Sequence, residues 1–154
     1  MRVGVVGGGL MGSGIAEVCA RAGIDVTVVE VDSERAAAAR SRVERSLARA
    51  VKAGKLDESG QAEASDRLAF TAELEELTGS DAAIEAIIES EDAKRQVFGA
   101  LDQLLPEAKF LASNTSSVPI MKLAAETSRP ERVVGFTSST RFPCSSWSRS
   151  SARS

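Results

Sequence analysis

The sequence predicts an α/β chain built on a doubly wound parallel sheet, and three observations carry that expectation. Short β-branched runs alternate with longer stretches of helical periodicity as far as Phe136. The runs are bounded by glycine, proline or acidic residues, and a glycine cluster, "VVGGGLMGSG", stands where the first run gives way to the first periodic stretch. Parallel strands need crossovers, and right-handed crossovers distribute the helices over both faces of the sheet. The bulk figures suit one such domain: 154 residues, 43% hydrophobic and 27% charged, as in an ordinary globular chain.

"RVGVVG", Arg2 to Gly7, reads as a buried strand. From Leu10 to Ala22 the residues Met11, Ile15, Val18, Cys19 and Ala22 fall on one helical stripe, with Gly23 as the stop. "DVTVVEV", Asp25 to Val31, is a second strand, and Asp32 or Ser33 is placed to cap a long helix reaching about Ala53. Residues 54–65 are polar and predict a loop or a short solvated helix. Leu68 to Thr71 is a weak third strand and "DAAIEAIIE", Asp81 to Glu89, a stronger fourth. A helix carrying Ala93, Val97, Ala100, Leu101 and Leu104 follows and ends before Pro106. "KFLASN" is the fifth strand, Ser117 and Pro119 open a short helix, and "RVVGF", Arg132 to Phe136, is the sixth strand.

Charge and composition narrow the function. A net charge of -3 supplies no field for nucleic acid or an anionic membrane surface. No stretch is apolar enough to span a bilayer, and glycines interrupt the opening run where a signal peptide would stay apolar. The expectation is a cytoplasmic chain with no nucleic-acid or membrane partner. Cys19 and Cys144 are expected as free thiols, and no metal site is expected. The chain contains no histidine, which removes imidazole chemistry from this polypeptide.

Gly7, Gly9 and Gly12 form G-x-G-x-x-G at a strand-to-helix turn. Such glycines permit the tight turn, leave room for a diphosphate and let helix and strand approach, while amides at the helix start, at Leu10 and Met11, face the phosphate charge. A glycine-rich structural turn is the bland alternative, but the preceding strand, following helix and acidic residue beyond all agree with a dinucleotide site of Rossmann type. Glu30, at the end of the second strand, is placed to accept from the adenosine ribose hydroxyls and to repel a 2′-phosphate, so the expected cofactor is NAD. Asp32 is the runner-up for the ribose, with helix capping as its alternative role.

The segments "GGGLMGSGIAEVCARAG", "IEAIIESEDAKRQVF", "ASNTSSVPI" and "RPERVVGF" together resemble the NAD-binding domain of the 3-hydroxyacyl-CoA dehydrogenases. The resemblance covers residues 1–136 and implies oxidation of a 3-hydroxyacyl-CoA, such as 3-hydroxybutyryl-CoA, to the 3-oxoacyl-CoA. It implies that Glu89 and Lys94 line the nicotinamide side of the groove, that Ser116 touches nicotinamide and the substrate oxygen, and that Asn114 lies beside them. Read from the residues alone, Glu89 and Lys94 could be a solvated charge pair, and Ser116 and Ser117 helix caps. Ser46 and Lys52 fall near the family's coenzyme A contacts.

By the same resemblance the sixth strand continues as His-Phe-Phe-Asn-Pro-Val-Pro-Val, whose His is the general acid/base. Here Phe136 is followed by Thr137, and the chain ends in "TSSTRFPCSSWSRSSARS". Deleting one base early in a suitable codon run for the family motif converts its reading to Phe-Thr-Ser-Ser-Thr-Arg-Phe-Pro-Cys, which is residues 136–144. The expected organisation is therefore a Rossmann domain over 1–136 and an out-of-frame disordered tail over 137–154. The chain would then keep the cofactor half and lack turnover, with the C-terminal helical domain and the family's homodimer interface missing. An RNA-binding or phosphorylated Ser/Arg segment is the competing reading, weakened by the shortness of the run, by the lack of tandem Arg-Ser repeats and by Trp147 as the one useful aromatic.

Overall fold

A computed structural model describes residues 1–137. Six strands form one all-parallel sheet: β1 (Arg2–Val6), β2 (Asp25–Val29), β3 (Leu68–Thr71), β4 (Ala82–Glu85), β5 (Phe110–Asn114) and β6 (Val133–Phe136), in the order β3-β2-β1-β4-β5-β6. Five helices connect them: α1 (Leu10–Arg21), α2 (Ser33–Lys52), α3 (Glu58–Asp66), α4 (Glu91–Leu104) and α5 (Ile120–Ala124), with short 3-10 turns at Leu74–Leu77 and Pro130–Arg132. This is the doubly wound architecture. The expectations for residues 138–154, including Thr140, Cys144 and Trp147, lie outside the described residues.

Alternation along the strands builds two cores. Val3, Val5, Val26 and Val28 face Ala16 and Ala39 on one side of the sheet, while Val6, Val29, Ala83 and Leu111 face Phe98, Leu101 and Leu123 on the other. The four inner strands β2, β1, β4 and β5 are thus buried on both faces, which is why their sequence runs are apolar rather than strictly alternating. The order reverses at β1, whose neighbours are β2 and β4. A crevice opens at the carboxyl ends of the strands at such a switch point. Register sets Val29, Val6, Glu85 and Ser113 in a row across four strands, so the residues that follow them share one edge.

Several local expectations are corrected. The stripe read on α1 is rotated: Gly12, Ser13, Ala16 and Ala20 are buried, whereas Val18 is 58% exposed. The helix begins jammed against the glycine turn, so only small side chains fit beneath it. On α4 the buried line is Lys94, Phe98 and Leu101, with Val97 and Leu104 on its flank. β4 stops at Glu85 rather than continuing to Glu89, because the Glu85 carboxylate accepts the Ile87 amide at 2.7 Å and turns the chain out of the sheet. The polar segment after α2 takes the helical one of the two forms expected for it, as α3, capped by Asp57 accepting from the Gly60 amide at 2.7 Å. Pro119 rather than Ser117 stands at the cap position of α5.

Candidate functional site

The glycine turn is built by contact as much as by flexibility. Gly7 has φ +98°, and a Cβ there would lie 2.6 Å from the Ala86 carbonyl oxygen. A Cβ on Gly12 would lie 1.7 Å from the Gly7 oxygen, so α1 can start here only without a side chain at that position. Over Gly9, by contrast, a Cβ would meet nothing within 4 Å, which leaves an open cradle beside the helix start. α1 has no side-chain cap and no acidic residue in its first turn. The longer helices α2 and α4 have both, through Asp32 with Glu34 and through Ser90 with Glu91 and Asp92. By helix geometry the Leu10 and Met11 amides lack intrahelical acceptors, and the dipole favours an anion there. The donor set fits a diphosphate.

Glu30 follows β2 on the same edge. One carboxylate oxygen accepts the Gly8 amide at 2.7 Å and the other the Val31 amide at 3.1 Å, and each keeps acceptor capacity for a ribose hydroxyl. The Gly8 carbonyl accepts from Ser13 Oγ at 2.8 Å and from Arg42 Nη1 at 2.7 Å. The loop is therefore pinned on both sides. Asp32 instead caps α2, accepting the Arg35 amide at 2.7 Å, which is the alternative role read for it.

At the ends of β4 and β5 the structure assembles a charged cluster. Lys94 Nζ lies 2.7 Å from Glu85 Oε1, with both side chains fully buried, and 3.3 Å from Glu89 Oε2. Ser113 Oγ donates to the other Glu85 oxygen at 2.6 Å. Glu89 Oε1 accepts the Thr115 hydroxyl, the Ser116 amide at 3.1 Å, and the Ser117 amide and hydroxyl at 3.2 and 2.9 Å. Partial desolvation pushes the Glu89 carboxyl up, but the Thr115 and Ser117 hydrogen bonds and the Lys94 charge outweigh it and hold the group at about 2, against 4.5 ordinarily. Ser116 is exposed, Asn114 is half-buried and opposite Phe136 in register, and a cleft of about 450 Å³ runs from Thr115 and Ser116 past Ile120 to Phe136 and Thr137.

Four expected residues, Glu89, Lys94, Asn114 and Ser116, thus lie together, with one difference. Lys94 has no exposed surface, so in this arrangement it meets the groove through Glu89 rather than lining it. Nor are Glu89 and Lys94 a solvated pair, because Lys94 is shared with Glu85 below the surface. The sequence reading missed Glu85, Ser13, Thr115 and Arg42. Glu85 had a signal, being a lone charge inside an apolar strand run, where burial demands a partner. Arg42 had none among the arginines of α2. Ser46 lies in the second half of α2 and Lys52 in its last turn, about 28 Å along the axis from its start. Burial pushes the free Cys19 thiol up. Among the described residues no three His, Cys, Asp or Glu side chains are placed to hold a metal ion.

Residues 2–137 match the family model for the 3-hydroxyacyl-CoA dehydrogenase NAD-binding domain. The chain is 52% identical over 136 residues to a 3-hydroxybutyryl-CoA dehydrogenase of Mycobacterium tuberculosis, covering 87% of this chain and 47% of that one. The crystal structure of M. tuberculosis FadB2 superposes with a TM-score of 0.85 at 51% identity, over 88% of this chain and 48% of that one. That of (S)-3-hydroxybutyryl-CoA dehydrogenase PaaH1 from Ralstonia eutropha gives 0.84 at 38% identity, over 88% and 48%. The chain spans about half the length of the curated relatives it matches. Cradle, acidic residue and sheet order agree with the match, and the chain belongs to the 3-hydroxyacyl-CoA dehydrogenase family, with NAD the cofactor of its matched domain.

Proposed function

We propose that residues 1–136 are the nucleotide-binding half of an NAD-dependent enzyme that oxidises a 3-hydroxyacyl-CoA, with 3-hydroxybutyryl-CoA as the representative substrate, to the 3-oxoacyl-CoA. The observation that carries the reading is the shared edge: the open cradle at Gly9, the Glu30 carboxylate and the Ser116 turn held by Glu89 follow strands set in one row. The Leu10 and Met11 amides would hold the diphosphate, and Glu30 the adenosine ribose. Ser116, beside Asn114, would meet the nicotinamide end and the substrate oxygen. When bound, the nicotinamide supplies the hydride acceptor. The chain's own contribution is to orient that ring and to fix Ser116 beside the cleft.

A hydroxyl being oxidised must also release its proton, and this polypeptide has no histidine to take it. Loss of a general base costs about 10²–10⁴ in rate. We therefore expect this 154-residue chain to bind NAD and turn over negligibly. NADH formation from 3-hydroxybutyryl-CoA at the rate of a full-length relative would refute that. The second reading, a non-catalytic dinucleotide-binding fragment, is favoured by the same absence. The family match stops at residue 137 while the chain runs on to 154, which supports the out-of-frame reading of the tail. Sequencing the DNA across the Phe136 codon tests it: an alternative frame should encode His-Phe-Phe-Asn-Pro. No helix among the described residues is long and apolar enough to cross a membrane, and a cytoplasmic location remains our proposal.

A further inference from the structure

The carbonyl oxygen of Gly8 is held from two helices. Ser13 Oγ on α1 donates to it at 2.8 Å and Arg42 Nη1 on α2 at 2.7 Å, while the Gly8 amide donates to Glu30 at 2.7 Å. α2 also closes on the loop from below, since a Cβ on Gly8 would lie 2.5 Å from that of Ala39, about one turn before Arg42. These bonds fall where the backbone by itself is least constrained. Gly7, Gly8 and Gly9 are consecutive, and a peptide unit between glycines rotates with little steric resistance. Carbonyl and N–H point to opposite sides of a planar trans peptide, so holding the Gly8 oxygen inward turns the Gly9 N–H away from Ser13 and Arg42. Gly8 is buried and Gly9 exposed, with open space over Gly9. A reversed unit would present the negative end of a carbonyl dipole on the side where an anion is to sit.

We propose that Arg42 is a positioning residue for the diphosphate: together with Ser13 it locks the Gly8–Gly9 peptide with its oxygen inward, so that the cradle is set for an anion before the cofactor arrives. The inference rests on the NAD-binding reading of this edge. Arg42 acts here through the peptide it holds, and not through the pull of its own charge on the ligand. A cofactor that binds only the inward form has its affinity lowered in proportion to the fraction of chains in the other form. Either donor alone still favours the inward form, so each partly substitutes for the other, and only loss of both releases the peptide.

The test uses the full chain and NADH as the calorimetric probe. Arg42→Met keeps the aliphatic stem and removes one donor, and Ser13→Ala removes the other. Each single variant should weaken NADH binding about two- to threefold and the double variant about tenfold or more, a loss greater than the product of the two. The Arg42→Met deficit should persist in about 1 M salt, where screening within roughly 3 Å would erase a direct Coulomb pull on the diphosphate. In amide spectra the Gly9 resonance of Arg42→Met should differ from wild type in the free chain and converge toward it on saturation with NADH, which a merely structural role would not require. Should the double variant not fold, Arg42→Met decides by salt dependence and by the Gly9 resonance. Losses that simply multiply, a deficit erased by salt, or a Gly9 resonance that is unchanged in the free variant or fails to converge would overturn the inference alone. Absence of NADH binding by the wild-type chain would overturn the cofactor reading, and this inference with it.

Discussion

At Glu30 a single carboxylate closes the glycine loop, taking the Gly8 amide at 2.7 Å and the Val31 amide at 3.1 Å, and in the proposed binding mode it also takes the adenosine ribose. Replacing it by Ala should weaken NAD binding by tenfold or more, since a charge-assisted hydrogen bond contributes about 1.5–3 kcal/mol. The preference for NAD over NADP should narrow with it, because nothing then repels the 2′-phosphate. Calorimetry with both dinucleotides checks this, and an unchanged preference would clear Glu30 of that role. Glu89 makes a prediction in pH. Its folded-state carboxyl sits at about 2 against an ordinary 4.5, so the unfolded chain takes up the proton first. The stabilising contribution is complete above about pH 4.5 and is lost as pH falls toward 2. Thermal denaturation of wild type and Glu89→Gln should therefore differ by a constant amount near neutrality and converge across that acid window.

The helix starts divide by task. α2 begins with its own cap, Asp32, and Asp32→Ala should lower stability by about 1 kcal/mol while leaving NAD affinity unchanged. An affinity loss instead would return Asp32 to the ribose. α1 begins without a cap and is seated by the absence of a side chain at Gly12, where a Cβ would come within 1.7 Å of the Gly7 oxygen. Gly12→Ala should cost about 1–3 kcal/mol or more as overpacking and should abolish stabilisation by NAD, because the displaced helix start no longer aims its amides at the cradle. Denaturant midpoints with and without NAD separate the two effects. Element identity was legible throughout in the strand and helix periods, and α3 resolved an ambiguity already visible in its polar segment. Helix faces were less legible: the α1 stripe followed the larger side chains, whereas the structure buries the small ones, because backbone proximity at the glycine turn outranks hydrophobicity there.

For the whole molecule, the sheet is the device that brings distant segments to one edge. Glu30, Gly7, Glu89 and Ser116 come from loops after four different strands, β2, β1, β4 and β5. Ligand that binds only the assembled edge must raise the stability of the whole. NAD at about 100 times its dissociation constant should add about 2.7 kcal/mol, or roughly 5–10 °C in Tm for a chain of this size. A flat thermal response to NAD, in a chain that melts cooperatively, would sink the proposed function.

From its residues alone this protein declared an α/β alternation, a glycine turn at Gly7, Gly9 and Gly12 between strand and helix, and an acidic residue, Glu30, at the end of the second strand, the features on which the proposed dinucleotide site rests. Those features are local, written in side-chain period and in contiguous glycine spacing. The partnership of Glu85 with Lys94, the anchoring of the Ser116 turn by Glu89 and the Arg42 contact with Gly8 were decided only by tertiary structure. The last two join residues from separate crossovers, and within the β4–α4 unit the buried Glu85 finds Lys94 through the way α4 packs on the sheet, which no local pattern specifies.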